Sequence, residues 1–333
     1  MIIFFHVFVQ LSRLGYSGSP LLFLGGGVDI FFVISGFIMW YTTVDHNIGP
    51  REFLQHRFIR IVPLYWVITT FYVVILIVQP TLFQSSRFQL SHVVASYLFI
   101  PAIHPVAQEM WPVVVPGWTL NYEMFFYLLF AVAMVALGGL RALVVIASLA
   151  CVVGLQGLAP PRDSVIGFYS SSIILEFALG VGIGYLYTSG LSIPRLYAAI
   201  MLFGGLIGLF LNLETGLMNL PRFFAIGIPA CLIVAGAVFY ERANGVTEIA
   251  FPMLLGDASY SLYLSHGATL SAFEQLWRRM GGPSVSNPTY LFLFSATAII
   301  VATLVGIGVY RVVEQPMIRK MSSWRRRATT VAA

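Results

Sequence analysis

Gly26-Gly27-Val28-Asp29-Ile30-Phe31-Phe32-Val33-Ile34-Ser35-Gly36-Phe37-Ile38-Met39-Trp40 sets a carboxylate and a Ser-Gly pair inside a run of membrane-grade apolar residues. An acid at the centre of a bilayer costs about 2.5–3.5 kcal/mol, and each Ile, Phe or Val returns about 0.3–0.6 kcal/mol. The seven such residues after Asp29 roughly balance it, so the helix can insert with Asp29 turned to protein or water. The rest of the chain agrees. It is 59% hydrophobic and only 9% charged, whereas a soluble domain is about a quarter charged.

At roughly 20 residues per span, this composition predicts an all-α, polytopic integral membrane protein with about ten transmembrane helices. They are expected near 1–14, 25–42, 62–79, 118–138, 142–158, 168–188, 196–213, 222–240, 256–277 and 290–310. A single transmembrane domain over 1–318 and a basic tail over 319–333 are expected. Threaded from an inside start, these spans leave twelve of the eighteen Lys and Arg residues on the cytoplasmic side. That bias places both termini in the cytoplasm. The net charge of +5 is thus mostly a topology signal. Neither a basic soluble face nor a nucleic-acid motif is present. The basic tail, Arg319 to Arg327, suits contact with anionic lipid.

Met1–Leu14 is too short to cross about 30 Å at 1.5 Å per residue. It also lacks the basic region and cleavage site of a signal peptide. The first helix is therefore expected to be truncated at the start of the sequence. Cys151 and Cys231 fall in expected spans and offer neither a metal-ligand spacing nor a disulfide framework. The stretch 80–117 carries Pro80, Pro101, Pro105, Pro112 and Pro116 with several aromatics, and is expected to form an ordered outer loop. No internal repeat supports an inverted-repeat transporter.

Several polar side chains stand out against this background. His6 lies in Phe-Phe-His-Val-Phe. An imidazole near its ordinary pKa of about 6.5 can take a proton from a hydroxyl and return it, or it can simply bond a neighbouring helix. Asp29 can orient such a histidine, or pair with an Arg or a backbone amide. Arg57 and Arg60 lie three residues apart on one helical face. Two guanidinium forks suit a phosphate-rich ligand, and equally suit positive-inside anchoring. Glu123 and Tyr127 share a face in Trp118-Thr-Leu-Asn-Tyr-Glu-Met-Phe-Phe-Tyr, with Trp118 at the interface and His6 or a substrate hydroxyl as Glu123's partner. Ser259, Tyr263 and His266 form a polar stripe that lines a channel or bonds a neighbour. Glu176 is a further membrane acid. Glu314, beside Arg311 and before Pro316, reads as ending the last helix with an ion pair.

In order along the chain, Gly-Val-Asp29-Ile-Phe-Phe-Val-Ile-Ser35-Gly-Phe, Arg57-Phe-Ile-Arg60-Ile-Val-Pro-Leu-Tyr, Trp118 to Tyr127, and Ser259-Tyr-Ser-Leu-Tyr263-Leu-Ser-His266 resemble the acyltransferase-3 family of membrane O-acyltransferases. They are most similar to its exopolysaccharide acetyl-transferring branch. The resemblance implies a bacterial inner-membrane enzyme with acetyl-coenzyme A or another acyl-coenzyme A as cytoplasmic donor, and no permanently bound cofactor. The acceptor is a hydroxyl of a surface polysaccharide or its lipid-linked precursor.

His6 matches the family's first-helix histidine and is the expected base, oriented by Asp29 or Glu123. Arg57 and Arg60 match its Arg-x-x-Arg pair and are expected to hold the coenzyme. Ser35, Trp118, Tyr127, Tyr263 and His266 are expected around the substrate, with Ser35 also a candidate for a covalent relay. The family's basic residue eleven positions before the histidine would precede Met1 here. A proton-coupled transporter or lipid flippase using Asp29, Glu123 and Glu176, and a non-catalytic subunit of an export complex, are the rival readings.

Overall fold

The computed structural model describes residues 1–18, 21–44, 48–80, 86–135, 140–158, 161, 163–216, 220–245, 248–283, 285 and 287–331, with side chains through Ser323. Its regular structure is helical throughout. In chain order the α-helices are α1 (Ile2–Arg13), α2 (Gly27–Tyr41), α3 (Pro50–Val78), α4 (Leu90–Tyr97), α5 (Trp118–Ala133), α6 (Leu140–Gly154), α7 (Val165–Tyr169), α8 (Leu175–Thr188), α9 (Arg195–Phe210), α10 (Ile228–Asn244), α11 (Ala250–Asp257), α12 (Ser259–Arg279), α13 (Pro288–Val309) and α14 (Gln315–Val331).

Six helical stretches among the described residues are long and apolar enough to cross a membrane: Leu22–Tyr41, Pro50–Val78, Leu140–Leu158, Arg195–Thr215, Phe223–Asn244 and Pro288–Ser323. The other four expected spans are helices too, but short or polar. α1, α5 and α8 have 12, 16 and 14 residues, and α12 carries Ser, His, Glu and Arg along its length. The helices that miss the apolar criterion supply much of the polar interior described below.

Two expected boundaries are corrected. The third span does not begin at 62: α3 starts at Pro50, a favoured first-turn position for proline, and runs 29 residues, about 43 Å. Arg57 and Arg60 therefore ride inside this helix, ahead of the stretch expected to span. The last helix does not stop at Glu314. Pro316 lacks the N–H that would bond back one turn, and a π-helical turn, Tyr310–Glu314, carries the chain into α14. The side chains of Arg325, Arg326 and Arg327, part of the expected lipid-contacting tail, lie outside the described residues.

Backbone-to-backbone packing fixes α2 against α8. A Cβ on Gly36 would stand 2.1 Å from the Phe177 carbonyl oxygen, and one on Gly180 would stand 2.0 Å from that of Val33. One turn on, a Cβ on Gly184 would meet Trp40 at 2.9 Å. The pairing 36 with 180 and 40 with 184 makes the two helices parallel, joined by the small-residue contact that membrane helices use in place of a hydrophobic driving force. From Ser86 onward the expected outer loop is ordered. His92 Nε2 lies 2.8 Å from the Trp111 carbonyl oxygen, Val113 N donates to Ser96 Oγ (3.0 Å), and Trp66 Nε1 on α3 donates to the Tyr97 carbonyl (2.9 Å).

Candidate active site

The expected base, His6, is half-buried on α1. Its ring lies 4.9 Å, centroid to centroid, from that of His266 on α12, and 5.5 Å edge-on from Phe5. His266 is fully buried. Its Nδ1 is 2.6 Å from the Tyr263 carbonyl oxygen, an acceptor only, so Nδ1 carries the proton. Nε2 is then left with its lone pair, and it is buried without a hydrogen-bond partner. Tyr263 continues the same wall. Its hydroxyl donates to the Pro116 carbonyl (2.8 Å), pairs with Thr119 Oγ1 (2.9 Å), and its ring stacks on Phe31 of α2.

A second group centres on Glu123 of α5, which is buried. Both Ser35 Oγ (3.3 Å) and the Tyr127 hydroxyl donate to its Oε1. The i, i+4 spacing of Glu123 and Tyr127 thus makes a direct bond. Arg57 stacks beside it, its guanidinium 5.5 Å from the Phe53 ring centroid and 6.0 Å from that of Tyr127. Asn121, one turn before Phe125 on α5, is buried with both amide atoms unpartnered.

Arg60 turns the other way. Its Nη1 is bound by Glu314, 1% exposed, and Glu314 Oε2 also accepts from Ser261 Oγ at 2.5 Å. The Arg60 side chain remains 39% exposed. The expected Glu314–Arg311 ion pair is therefore corrected. The π turn that carries Glu314 adds a residue to the helical repeat, and such turns recur at functional sites.

Among the described residues Asp29 pairs with Arg222 and makes no ion pair or hydrogen bond with His6. Its carboxylate is 2.5 Å from Arg222 Nη2, and Nη1 of the same guanidinium donates to Glu176 Oε1 at 2.9 Å. Both acids are essentially fully buried while Arg222 is 37% exposed. The open alternative for Asp29, a pair with an arginine, is what forms, and an apolar helix allows little else for a buried carboxylate. Nor does Glu123 bond His6 among the described residues. Trp118 is edge-on to Phe32 (6.4 Å) and Tyr122 (5.9 Å), and packs against the central core.

The folded chain therefore brings His6 together with His266 and Tyr263, and Glu123 with Ser35, Tyr127 and Arg57. It gives Arg57 and Arg60 different partners, and Asp29 an arginine. Sequence reasoning gave no role to Arg222 or Ser261. The signal for both was indirect: every acid inside an apolar helix needs a donor, and Asp29, Glu176 and Glu314 were in plain view.

The acyltransferase domain model matches residues 1–307. Exopolysaccharide production protein ExoZ of Rhizobium meliloti (strain 1021) is 37% identical over 295 residues, which is 88% of this chain and 89% of that protein. No solved structure matches. With nearly the whole chain covered by the family model and by this relative, the protein belongs to the acyltransferase 3 family.

Proposed function

We propose that this chain moves an acyl group, acetyl in the first instance, from cytoplasmic acyl-coenzyme A to a hydroxyl of a surface polysaccharide or its lipid-linked precursor. The carrying observation is the half-buried His6 ring beside buried His266, whose one free nitrogen is a hydrogen-bond acceptor. His6 takes the proton of the acceptor hydroxyl as that oxygen attacks the thioester carbonyl. The new C–O bond forms, the C–S bond breaks, and the proton passes from His6 to the departing thiolate. His266 Nε2 accepts the N–H of the transient imidazolium, the part first expected of Asp29 or Glu123.

Glu123 holds Tyr127 and Ser35 in place and supplies counter-charge to Arg57. Arg57 receives the donor, and Arg60 is held at the edge of that site by Glu314. Tyr263 and Trp118 shape the acceptor side. The acceptor class is supported by membership of the family together with the exopolysaccharide role in the relative's name. Both termini face the cytoplasm on this reading, at a bacterial inner membrane.

The test is incubation of the purified chain with radiolabelled acetyl-coenzyme A and extracted polysaccharide. Label should enter the glycan with the unaltered protein and not with His6→Ala. No label with the unaltered protein overturns the reading. Proton-driven substrate movement without thioester cleavage would establish the transport alternative instead.

A further inference from the structure

We propose that the groove between α3 and α14 seats a hydrocarbon chain of an anionic phospholipid, with the lipid's headgroup against Arg319 and Lys320. The site is independent of the reaction proposed above. The groove has a volume of about 400 Å³. Val62 and Pro63 of α3 are its buried floor, Phe58, Trp66 and Val67 are its exposed rim, and Met317 and Met321 close it from α14. The two methionines are four apart and share a face; unbranched and adaptable, such side chains mould to a flexible partner. The two lining side chains that carry a nitrogen or oxygen have already committed it. Trp66 Nε1 donates to the Tyr97 carbonyl (2.9 Å), and Thr70 Oγ1 donates to the Trp66 carbonyl (2.8 Å) and pairs with the Tyr97 hydroxyl (2.7 Å). What the groove offers an occupant is hydrocarbon contact.

Length and charge decide what that occupant is. Both walls belong to helical stretches long and apolar enough to cross a membrane, so the exposed rim faces lipid. From Phe58 to Thr70 the α3 wall runs about 18 Å at 1.5 Å per residue, and one leaflet of a hydrocarbon core of about 30 Å is about 15 Å deep. A chain from a single leaflet fills it. α14 carries Arg319, Lys320, Arg325, Arg326 and Arg327 and no acid. Lys320 adjoins Met321 and lies one turn from Met317, and both Lys320 and Arg319 are exposed, so cations stand beside the methionine wall. A basic pocket between membrane helices is the arrangement that takes an anionic headgroup; a zwitterionic one brings its own ammonium to those cations and gains less. Charge on the tail alone would give diffuse attraction to an anionic surface, whereas the groove gives it one lipid chain to hold. Glu314, which binds Arg60, lies one turn before Met317, so the seated chain also braces α14 against α3.

The experiment places the full chain in phosphatidylcholine nanodiscs that contain increasing fractions of phosphatidylglycerol or of phosphatidylcholine with brominated acyl chains. Bromine quenches the fluorescence of a tryptophan that it touches, and the difference between the unaltered chain and Trp66→Phe isolates Trp66. Half-maximal quenching there should need roughly 10- to 30-fold less brominated phosphatidylglycerol than brominated phosphatidylcholine, about 5-fold for each of two basic contacts. Arg319→Gln and Lys320→Gln should each remove about 5-fold of that preference, Lys320→Arg should keep it, and exposed Arg195→Gln, at the start of α9, should leave it unchanged. Raising the salt should shrink it. Met317→Gln, which puts an amide into the apolar wall, should weaken quenching by both lipids.

Thermal melts decide whether Met317→Gln folds, and the exposed Arg319 and Lys320 variants carry the comparison if it does not. Equal quenching of Trp66 by the two brominated lipids overturns the proposal. So does a preference that survives Arg319→Gln and Lys320→Gln together. The same preference at Trp277, isolated with Trp277→Phe, would mark general enrichment of anionic lipid around the chain and overturns it as well.

Discussion

Replacing His266 tests the proposed chemistry more sharply than replacing His6, because that proposal gives it the orienting role expected from sequence of Asp29 or Glu123. In the unaltered protein His266 Nδ1 is committed to the Tyr263 carbonyl, which leaves Nε2 as the sole nitrogen able to steady an imidazolium at His6. Removing one hydrogen bond to a charged group is worth about 1.5–3 kcal/mol. His266→Ala should therefore lower kcat roughly 10- to 150-fold. Losing the base itself in His6→Ala should cost about 10²–10⁴-fold.

His266→Gln keeps an acceptor and should recover part of the loss, while Asp29→Asn should leave kcat close to that of the unaltered protein. The assay is acetyl transfer from labelled acetyl-coenzyme A at saturating donor, with each variant first shown to be folded. A folded Asp29→Asn as impaired as His6→Ala, alongside a near-normal His266→Ala, would refute this assignment and restore the first one.

The Asp29–Arg222–Glu176 cluster holds two buried acids against one cation, so its members are not equivalent. Arg222→Met strands both acids and should destabilise by about 3–5 kcal/mol, toward the lower end because Arg222 is 37% exposed; Asp29→Asn leaves the Arg222–Glu176 pair matched and should cost less. Equilibrium unfolding in mixed micelles checks that order, and Asp29→Asn should lessen the damage of Arg222→Met. In the loop before α5, burial, with His92 beside it, pushes the His104 imidazole below its ordinary pKa, and its Nδ1 accepts from the Val106 and Ala107 amides. The unfolded loop then binds the proton more readily, so loop stability is lost as pH falls below about 6.5; amide exchange at Val106 and Ala107 should accelerate there, and not in His104→Gln. For orientation, cysteines placed singly at Gln89 and Ser323 in a chain without Cys151 and Cys231 should react with an impermeant maleimide in intact cells at Gln89 only.

What could be read in advance followed from local rules. The acid in the apolar run of α2, the i, i+4 bond of Glu123 and Tyr127, and the neighbouring Tyr263 and His266 all follow from helical periodicity, and each reappears in the fold, whereas Ser259 of the expected stripe is exposed. What escaped depended on distant partners or on departures from regular helix. Arg222 reaches Asp29 across 193 positions of sequence, and nothing local encodes that meeting. Glu314 was assigned to Arg311 because a regular helix makes them neighbours, but the π turn breaks that repeat and turns the carboxylate to Arg60. The start of α3 was misplaced because its first turns are charged. A helix whose basic residues face neighbouring helices does not advertise itself by hydropathy.

The polar groups are ordered along α2 in a way that bears on how two substrates from opposite sides would meet. Asp29 holds Arg222 near its first turn, Ser35 bonds Glu123 in the middle, and Thr42 meets Arg57 at the end. At 1.5 Å per residue those three levels lie about 9 and 10 Å apart, some two-thirds of a hydrocarbon core of about 30 Å. The stacking of Tyr263 on Phe31 puts the His6–His266 pair nearer the Asp29 end.

On the proposed reading, a donor received by Arg57 beside Thr42 extends its thioester arm roughly 16 Å along α2 to reach His6, passing Tyr127, Glu123 and Ser35. Bulk added midway should therefore hinder the donor while leaving phosphate affinity intact. Ser35→Leu is expected to raise the KM for acetyl-coenzyme A and to leave pyrophosphate binding unchanged, and a loss of both together would show that the arm does not run this way.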